Sequence, residues 1–397
     1  IVFGDWSSDV CSSDLQAMRV LRDMGVTRVF LDDDFRLAVS PGSIGGCFCP
    51  EHKQDFLQKH GYGESAWPEL LAAVHERLLT PVLRAWIEYT CDQLTDSFRR
   101  QQAAAPEIAL GNMIMFFGAE KAGIRLADYR NVPFRVGELM FHDASFVQVK
   151  NKTAELFSSL FHRRYAVPEL AYSETTAFPA DKLSAANMAA KLAVSTISDV
   201  RHTMFMSGLT PFPREHWPVL KPAMKKHAAI HDIIAGHTPQ GPYKHYWGEM
   251  ERCVGKDNPY SLFLATGVPF QVTDEPARDG WTFLADYDAK AVADKRLTSS
   301  GTVFVVRQPL TGQADLSVVE ESLPALFAFK NQLLPRWNDI PYVAEEKAVV
   351  CAWYPIARCV LLWNLAEAAQ EFTLVFRDTR RTVTIAALDV ELVREVC

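Results

Sequence analysis

Apolar positions along the chain follow two alternating periods. Val26–Asp34 (VTRVFLDDD) is a short β-branched run ending in three acids, and Glu107–Met115, Phe134–Phe141, Val167–Ser173 and Arg201–Met206 are further strand candidates. Helical patterns lie between them. Leu70, Leu71, Val74, Leu78, Leu79 and Val82 recur near a 3.6-residue period, which predicts one long helix from Pro68 to about Arg100. Leu156–Arg164 and the alanine-rich Ser184–Ser198 predict two more. Strands separated by helices argue for an α/β fold of parallel βαβ units. Four strands carry a polar or acidic residue at or just past the carboxyl end: Asp34, Asn112, His142 with Asp143, and Glu174. In a (β/α)8 barrel that end builds active sites, so a TIM barrel is expected first and an open doubly wound sheet second. No Gly-x-Gly-x-x-Gly follows a strand, and no dinucleotide cofactor is expected.

The pattern changes twice more. Pro211, Pro213, Pro218 and Pro222 crowd one stretch, and His227–His245 is rich in His, Gly and Pro. Ser261–Val272, Trp281–Ala285 and Thr302–Arg307 then suggest a smaller α/β domain over residues 216–340. From Ala348 the runs VVCAWY, CVLLWNL, EFTLVF and VTIAAL alternate with short polar turns, the pattern of a small antiparallel β-sandwich over residues 341–397. The barrel occupies residues 16–215. Residues 1–15 are set apart: Asp5–Leu15 (DWSSDVCSSDL) is a pair of Ser/Asp near-repeats without apolar periodicity, and it resembles the conceptual translation of a sequencing-library adapter.

Composition narrows the class. The chain is 48% hydrophobic and 22% charged, a globular balance that excludes a disordered or disulfide-scaffold protein. No uninterrupted apolar run reaches about 18 residues, so no membrane span is expected. The formal charge is −7, or −4 without Asp5, Asp9 and Asp14, and no basic block exists. Nucleic acid is therefore not an expected partner. Without Cys11 seven cysteines remain, an odd number that favours free thiols and a reducing cytoplasm.

Asp32, Asp33 and Asp34 are the strongest chemical signal. Three adjacent carboxylates repel one another, which raises at least one pKa toward the range a general acid needs. Arg36 follows within reach of a carboxylate. The bland alternative is a solvated turn. Glu174, in Tyr172-Ser173-Glu174, could supply a second carboxylate, and two carboxylates are what glycoside hydrolysis uses. Glu138, His142 and Asp143 could orient sugar hydroxyls, as could Asn112. Phe178, with Phe116, Phe117, Phe141 and Phe146, could form a stacking surface, although aromatic residues are more often core. Cys47, Cys49 and His52 have Cys-x-Cys-x-x-His spacing with Cys91 as a conceivable fourth ligand. The second pair that a structural zinc needs is lacking, so a packed loop is the expectation there and no cofactor is assigned. A serine nucleophile has no Gly-x-Ser-x-Gly elbow.

The segment FLDDDFRL…GCFCPEH…F (Phe30–Phe56) resembles a group of bacterial (β/α)8 glycoside hydrolases related to beta-galactosidases, whose acid-rich fourth strand precedes a cysteine-containing loop. AYSETTAFP (Ala171–Pro179) is similar to their seventh strand, and the later regions resemble their accessory domains. The resemblance implies a partial barrel of about strands 4–8 and hence a fragment of a longer enzyme. It also implies the acid/base role for the Asp32–Asp34 group and the nucleophile role for Glu174. One departure is that the usual Asn-Glu pair is replaced by aspartates. The expected function is a glycosidase cleaving a β-linked sugar, a β-galactoside among the candidates, by retention. Its partner would be an oligo- or polysaccharide, and a homo-oligomer is compatible with the sequence. Two alternatives stay open: a non-catalytic carbohydrate-binding barrel, and a metal-dependent hydrolase gathering His142, Asp143 and an aspartate.

Overall fold

The computed structural model describes residues 8–396 apart from 33, 34, 41, 138–141, 209, 274, 299–300, 311–315 and 338. The chain opens with α1 (Ser8–Asp23), β1 (Arg28–Leu31), α2 (Pro50–His60), α3 (Ala66–Glu76), α4 (Pro81–Ala104), β2 (Ala109–Met115) and β3 (Phe134–Gly137). It continues with α5 (Asp143–Phe146), α6 (Val149–His162), β4 (Ala171–Thr176), α7 (Ala185–Ile197), β5 (His202–Met206), α8 (Trp217–Ile234), β6 (Tyr243–Tyr246) and α9 (Glu249–Val254). Next come β7 (Phe270–Thr273), β8 (Trp281–Leu284), α10 (Asp286–Ala293), β9 (Val303–Val306), β10 (Ser317–Val318) and α11 (Leu323–Leu333). The last strands are β11 (Tyr342–Val343), β12 (Val349–Tyr354), β13 (Cys359–Asn364), β14 (Gln370–Phe376), β15 (Thr379–Ile385) and β16 (Val390–Arg394). Among the described residues no helix is long and apolar enough to cross a membrane.

Two compact units emerge. The first gathers the chain up to Gly137 with Tyr165–Leu170 and Glu249–Asp257. Its strands β1, β2 and β3 pair in parallel, with Leu31 opposite Asn112 and Asn112 opposite Phe134. Leu110, Ile114, Phe134 and Val136 are buried on one face. On the other face Gly111 admits no side chain, because a Cβ there would lie 2.6 Å from the Pro133 carbonyl and 2.7 Å from the Phe30 ring. The distant segment Glu249–Asp257 is held by charge. The buried Lys121 ammonium donates to the Glu251 carbonyl at 3.1 Å and pairs with Asp257. Arg77 donates to the Val254 and Gly255 carbonyls at 2.9 and 2.8 Å, and Arg252 to Glu120 at 3.0 Å. Burial pushes the Asp257 carboxyl up, and Lys121 offsets only part of that.

The long helix expected from Pro68 to Arg100 is two helices. Arg77 takes a left-handed conformation (φ 53°) that ends α3, and α4 restarts with Pro81 behind Thr80, whose hydroxyl accepts the Leu83 N–H at 3.3 Å. The apolar period runs on through Leu78 and Leu79 and hides the break. α1 runs from Ser8 through the Ser/Asp-rich segment to Asp23, and Met18 within it is buried.

In the second unit β4 and β5 pair in parallel, with Tyr172 opposite His202 and Glu174 opposite Met204. The strand expected at Val167–Ser173 begins later. Pro168–Leu170 is a 3-10 turn, and β4 runs from Ala171 to Thr176, so Glu174 lies within the strand rather than past its end. Helices α7 and α8 bring Met188 and Leu220 into a cluster with Ala177 and Leu183, and Phe205 packs against it. A second sheet, ordered β10-β9-β8-β6-β7, is parallel throughout. Two antiparallel three-stranded sheets, β11-β14-β15 and β12-β13-β16, share a core of Val343, Cys351, Leu362, Phe372 and Val393 in sandwich fashion. Lys330 of α11 is fully buried and caps the Thr266, Val343 and Glu345 carbonyls at 3.1, 2.6 and 2.9 Å.

Candidate functional site

Asp32 directly follows β1, and the register continues it into line with Met113 and Arg135. Residues opposite one another in a sheet project to the same face. The contacts agree. Arg135 Nη2 donates to Asp32 Oδ1 at 2.6 Å and touches the Met113 sulfur at 2.7 Å, while its guanidinium lies 5.3 Å over the Phe30 ring. The Arg135 side chain is 10% exposed and that of Asp32 57%, so a buried guanidinium holds a carboxylate that faces solvent. Such a pair fixes the acid's orientation and provides a cation beside it. Asp33 and Asp34 lie outside the described residues, as does Glu138.

Asn112 was expected at a strand end facing a ligand, and its position is different. It is fully buried in mid-strand on the face of Leu110 and Ile114, so the sheet itself stands between its side chain and the Asp32 face. Its carboxamide has no hydrogen-bond partner among the described residues. Arg36 donates to the nearby Ala38 carbonyl at 3.1 Å.

Strand alternation also orients Glu174. Ser173 is bonded to Ser195 of α7 at 2.6 Å, and Thr203 reaches the same hydroxyl at 3.2 Å. The helices therefore cover the face of Ser173, Thr175 and Thr203, and Tyr172, Glu174 and Thr176 project from the opposite one. Glu174 is 1% exposed and accepts the Thr176 hydroxyl at 2.6 Å on Oε1. Tyr172 stacks on His202 with 4.4 Å between ring centres, so a flat aromatic pair shares that face. A carboxylate with a hydroxyl donor and an aromatic pair on one strand face can accept from the hydroxyls of a polyol, or attack an acetal carbon whose alcohol leaves. The backbone behind it is tied down at Asp199, which follows α7 and accepts Arg163 at 2.8 Å, His231 at 2.8 Å and the Gly236 N–H at 3.2 Å. Burial alone would raise that carboxyl; His231 and Arg163 reverse the effect and hold it below the usual range.

His142 and Asp143 have local work. His142 precedes α5 and its Nδ1 accepts the Ser145 N–H at 3.3 Å, while Asp143 accepts the Ser184 N–H at 2.8 Å and the Asn187 amide at 2.7 Å, capping the start of α7. Of the proposed aromatic surface, Phe116, Phe117 and Phe146 are core, Phe178 is 71% exposed, and Phe141 lies outside the described residues.

Cys47, Cys49 and His52 do converge. Their ligand atoms all lie within 4.8 Å of one another, and Cys49 Sγ is 3.0 Å from His52 Nδ1. They form the only such group of three among the described residues. A bond to the His52 backbone lowers the Cys49 thiol, but desolvation together with Cys47 and Glu51 leaves it raised. Two thiols and an imidazole suit a thiophilic cation such as zinc. Cys91 is buried elsewhere, donating to the Glu120 carbonyl at 3.6 Å. A residue missed in the sequence is Arg135, whose only signal is a cation inside the apolar run FRV.

No family model matches the chain, and no curated protein is similar in sequence. Solved structures are similar in fold. A cold-adapted beta-galactosidase from Rahnella sp. aligns with a TM-score of 0.56 at 10% identity, over 97% of this chain and 81% of its own. A beta-galactosidase from the haloarchaeon Halorubrum lacusprofundi aligns with a TM-score of 0.55 at 10% identity, over 98% and 82%. A catalytic mutant of a GH42 beta-galactosidase from G. stearothermophilus gives 0.55 at 10%, over 97% and 81%. At that identity the likeness is one of fold: the chain is a mixed α/β protein folded like these glycoside hydrolases.

Proposed function

We propose that the chain is a glycoside hydrolase that cleaves β-galactosides with retention of configuration. The observation that carries this is Glu174, a buried carboxylate on the strand face opposite α7, in a fold shared with beta-galactosidases. The Glu174 carboxylate attacks the anomeric carbon while an acid of the Asp32–Asp34 group gives its proton to the departing glycosidic oxygen. A glycosyl ester and a free alcohol result. The same aspartate then takes a proton from water, whose oxygen displaces Glu174 from the anomeric carbon, releasing the sugar and restoring both groups. Thr176 steadies the nucleophile by its hydrogen bond. Arg135 holds Asp32, and a surface of Tyr172 and His202 gives a sugar ring an apolar wall. Asn112, facing the other side of its sheet, has no part in this scheme.

Nitrophenol release from 4-nitrophenyl β-galactoside and β-glucoside tests the proposal. Galactoside turnover is expected, with Glu174→Gln reducing it by about a thousandfold or more. Undiminished turnover in Glu174→Gln contradicts the assignment.

A further inference from the structure

A cavity of about 440 Å³ lies at the amino-terminal edge of the second parallel sheet, where the first residues of β6 and β8 meet the turn after α11 and strand β12. That volume is within the roughly 300–1,000 Å³ that ligand pockets occupy. Trp281 and Trp337 cross at 71° with 5.8 Å between ring centres and make an aromatic corner. Tyr243 backs Trp337 at 5.5 Å. Arg336 and Gln271 line the same hollow, and among the described residues neither side chain has an ion pair or hydrogen bond. Lys244 and Asp279 pair with each other there.

The ligand must offer a flat apolar face for the corner and a rim of groups that both donate and accept. A pyranose does both: its axial C–H bonds pack on an indole, and its hydroxyls accept from the Arg336 guanidinium while donating to the Gln271 carboxamide oxygen. We propose that this cavity is a second saccharide site, binding a single sugar unit without cleaving it. None of Asp32, Arg135 or Glu174 lines it. A site of this kind would hold a glycan on the protein between cleavage events. The choice of a sugar over another polyol rests on the glycosidase proposal; the aromatic corner and its lining by Arg336 and Gln271 do not.

The test is a fluorescence and calorimetric titration with galactose and with lactose. It uses the wild-type chain, Trp281→Ala, the double variant Arg336→Ala/Gln271→Ala, and Glu174→Gln. Both pocket variants are expected to bind at least about tenfold more weakly, a loss of about 1.4 kcal/mol. Glu174→Gln should keep this binding, and the double variant should keep nitrophenyl galactoside hydrolysis. Binding of equal strength in all four proteins overturns the proposal, and so does a wild-type chain that binds neither sugar. If pocket-dependent binding is found in a chain without glycosidase activity, the second site stands and the catalytic assignment falls.

Discussion

Asp199 is a buried charge between α7 and β5, the strand paired with that of Glu174, and its replacement gives graded losses that can be worked out in advance. The carboxylate receives a guanidinium, an imidazole and a backbone N–H, from Arg163, His231 and Gly236, and its own side chain is 2% exposed against 14% for Arg163. Removing one member of a buried pair leaves the other charge unmatched, at a cost of about 3–5 kcal/mol. Asp199 also holds φ at 55°, a left-handed conformation in which Ala is about 1 kcal/mol worse than Asn. Asp199→Ala should therefore lose about 4–6 kcal/mol. Asp199→Asn keeps an acceptor and the backbone conformation but loses the charge, for a smaller loss of about 2–3 kcal/mol. The Arg163 Nε bond to the Asp199 carbonyl, at 2.9 Å, survives in both. Urea unfolding followed by far-ultraviolet circular dichroism measures the two. There is also a pH arm. The folded carboxyl titrates below its unfolded value, so its stabilisation is complete above the unfolded pKa of about 3.9 and is lost as pH falls through the lower folded one. Asp199→Asn should remove that share of the acid sensitivity. A loss below about 1 kcal/mol in Asp199→Ala, or an equal loss in both variants, would refute the reasoning.

Three further outcomes are expected. Arg135→Met should lower kcat/KM by about tenfold or more while changing stability by less than about 1 kcal/mol, because the exposed Asp32 rehydrates; a large fall in unfolding midpoint with unchanged turnover would contradict it. Dialysis against zinc followed by elemental analysis should show about one equivalent on the wild type and none on Cys47→Ser/Cys49→Ser, and equal metal in both would remove that site. Burial lowers the Lys330 ammonium to about 8, whereas in the unfolded chain it titrates near 10.4. The unfolded state then binds more protons between those values, so wild-type stability should gain with rising pH relative to Lys330→Met, and parallel pH–stability curves would count against it.

Much of the strand and helix order was legible because its period is local. The short apolar runs at Arg28–Leu31, Phe134–Gly137 and Val349–Tyr354 and the alanine-rich α7 are visible from residue type alone. The break between α3 and α4 was not, since Arg77 adopts a left-handed conformation that no composition rule requires while the apolar stripe carries on past it. Glu174 was located by type, but its place within β4 depends on Pro168 starting a 3-10 turn instead of a strand. The face of Asn112 could not be read either, because alternation needs a register and the register comes from Arg135 meeting Met113 and Asp32. Least legible was the capture of Glu249–Asp257 by Lys121 and Arg77, more than a hundred residues away in sequence, where a buried cation decides which segment belongs to which core. Asp143 shows the opposite error: a residue type suited to binding sugar is used to cap a helix.

A 2-fluoro-galactosyl donor with a good leaving group slows the second half of the proposed reaction and lets the glycosyl ester accumulate. Digestion and mass spectrometry of protein so treated should place the sugar on the peptide bearing Ala171–Thr176, at Glu174, with loss of activity in step with labelling. A label on any other carboxylate, or hydrolysis that continues while Glu174 stays unmodified, contradicts the account.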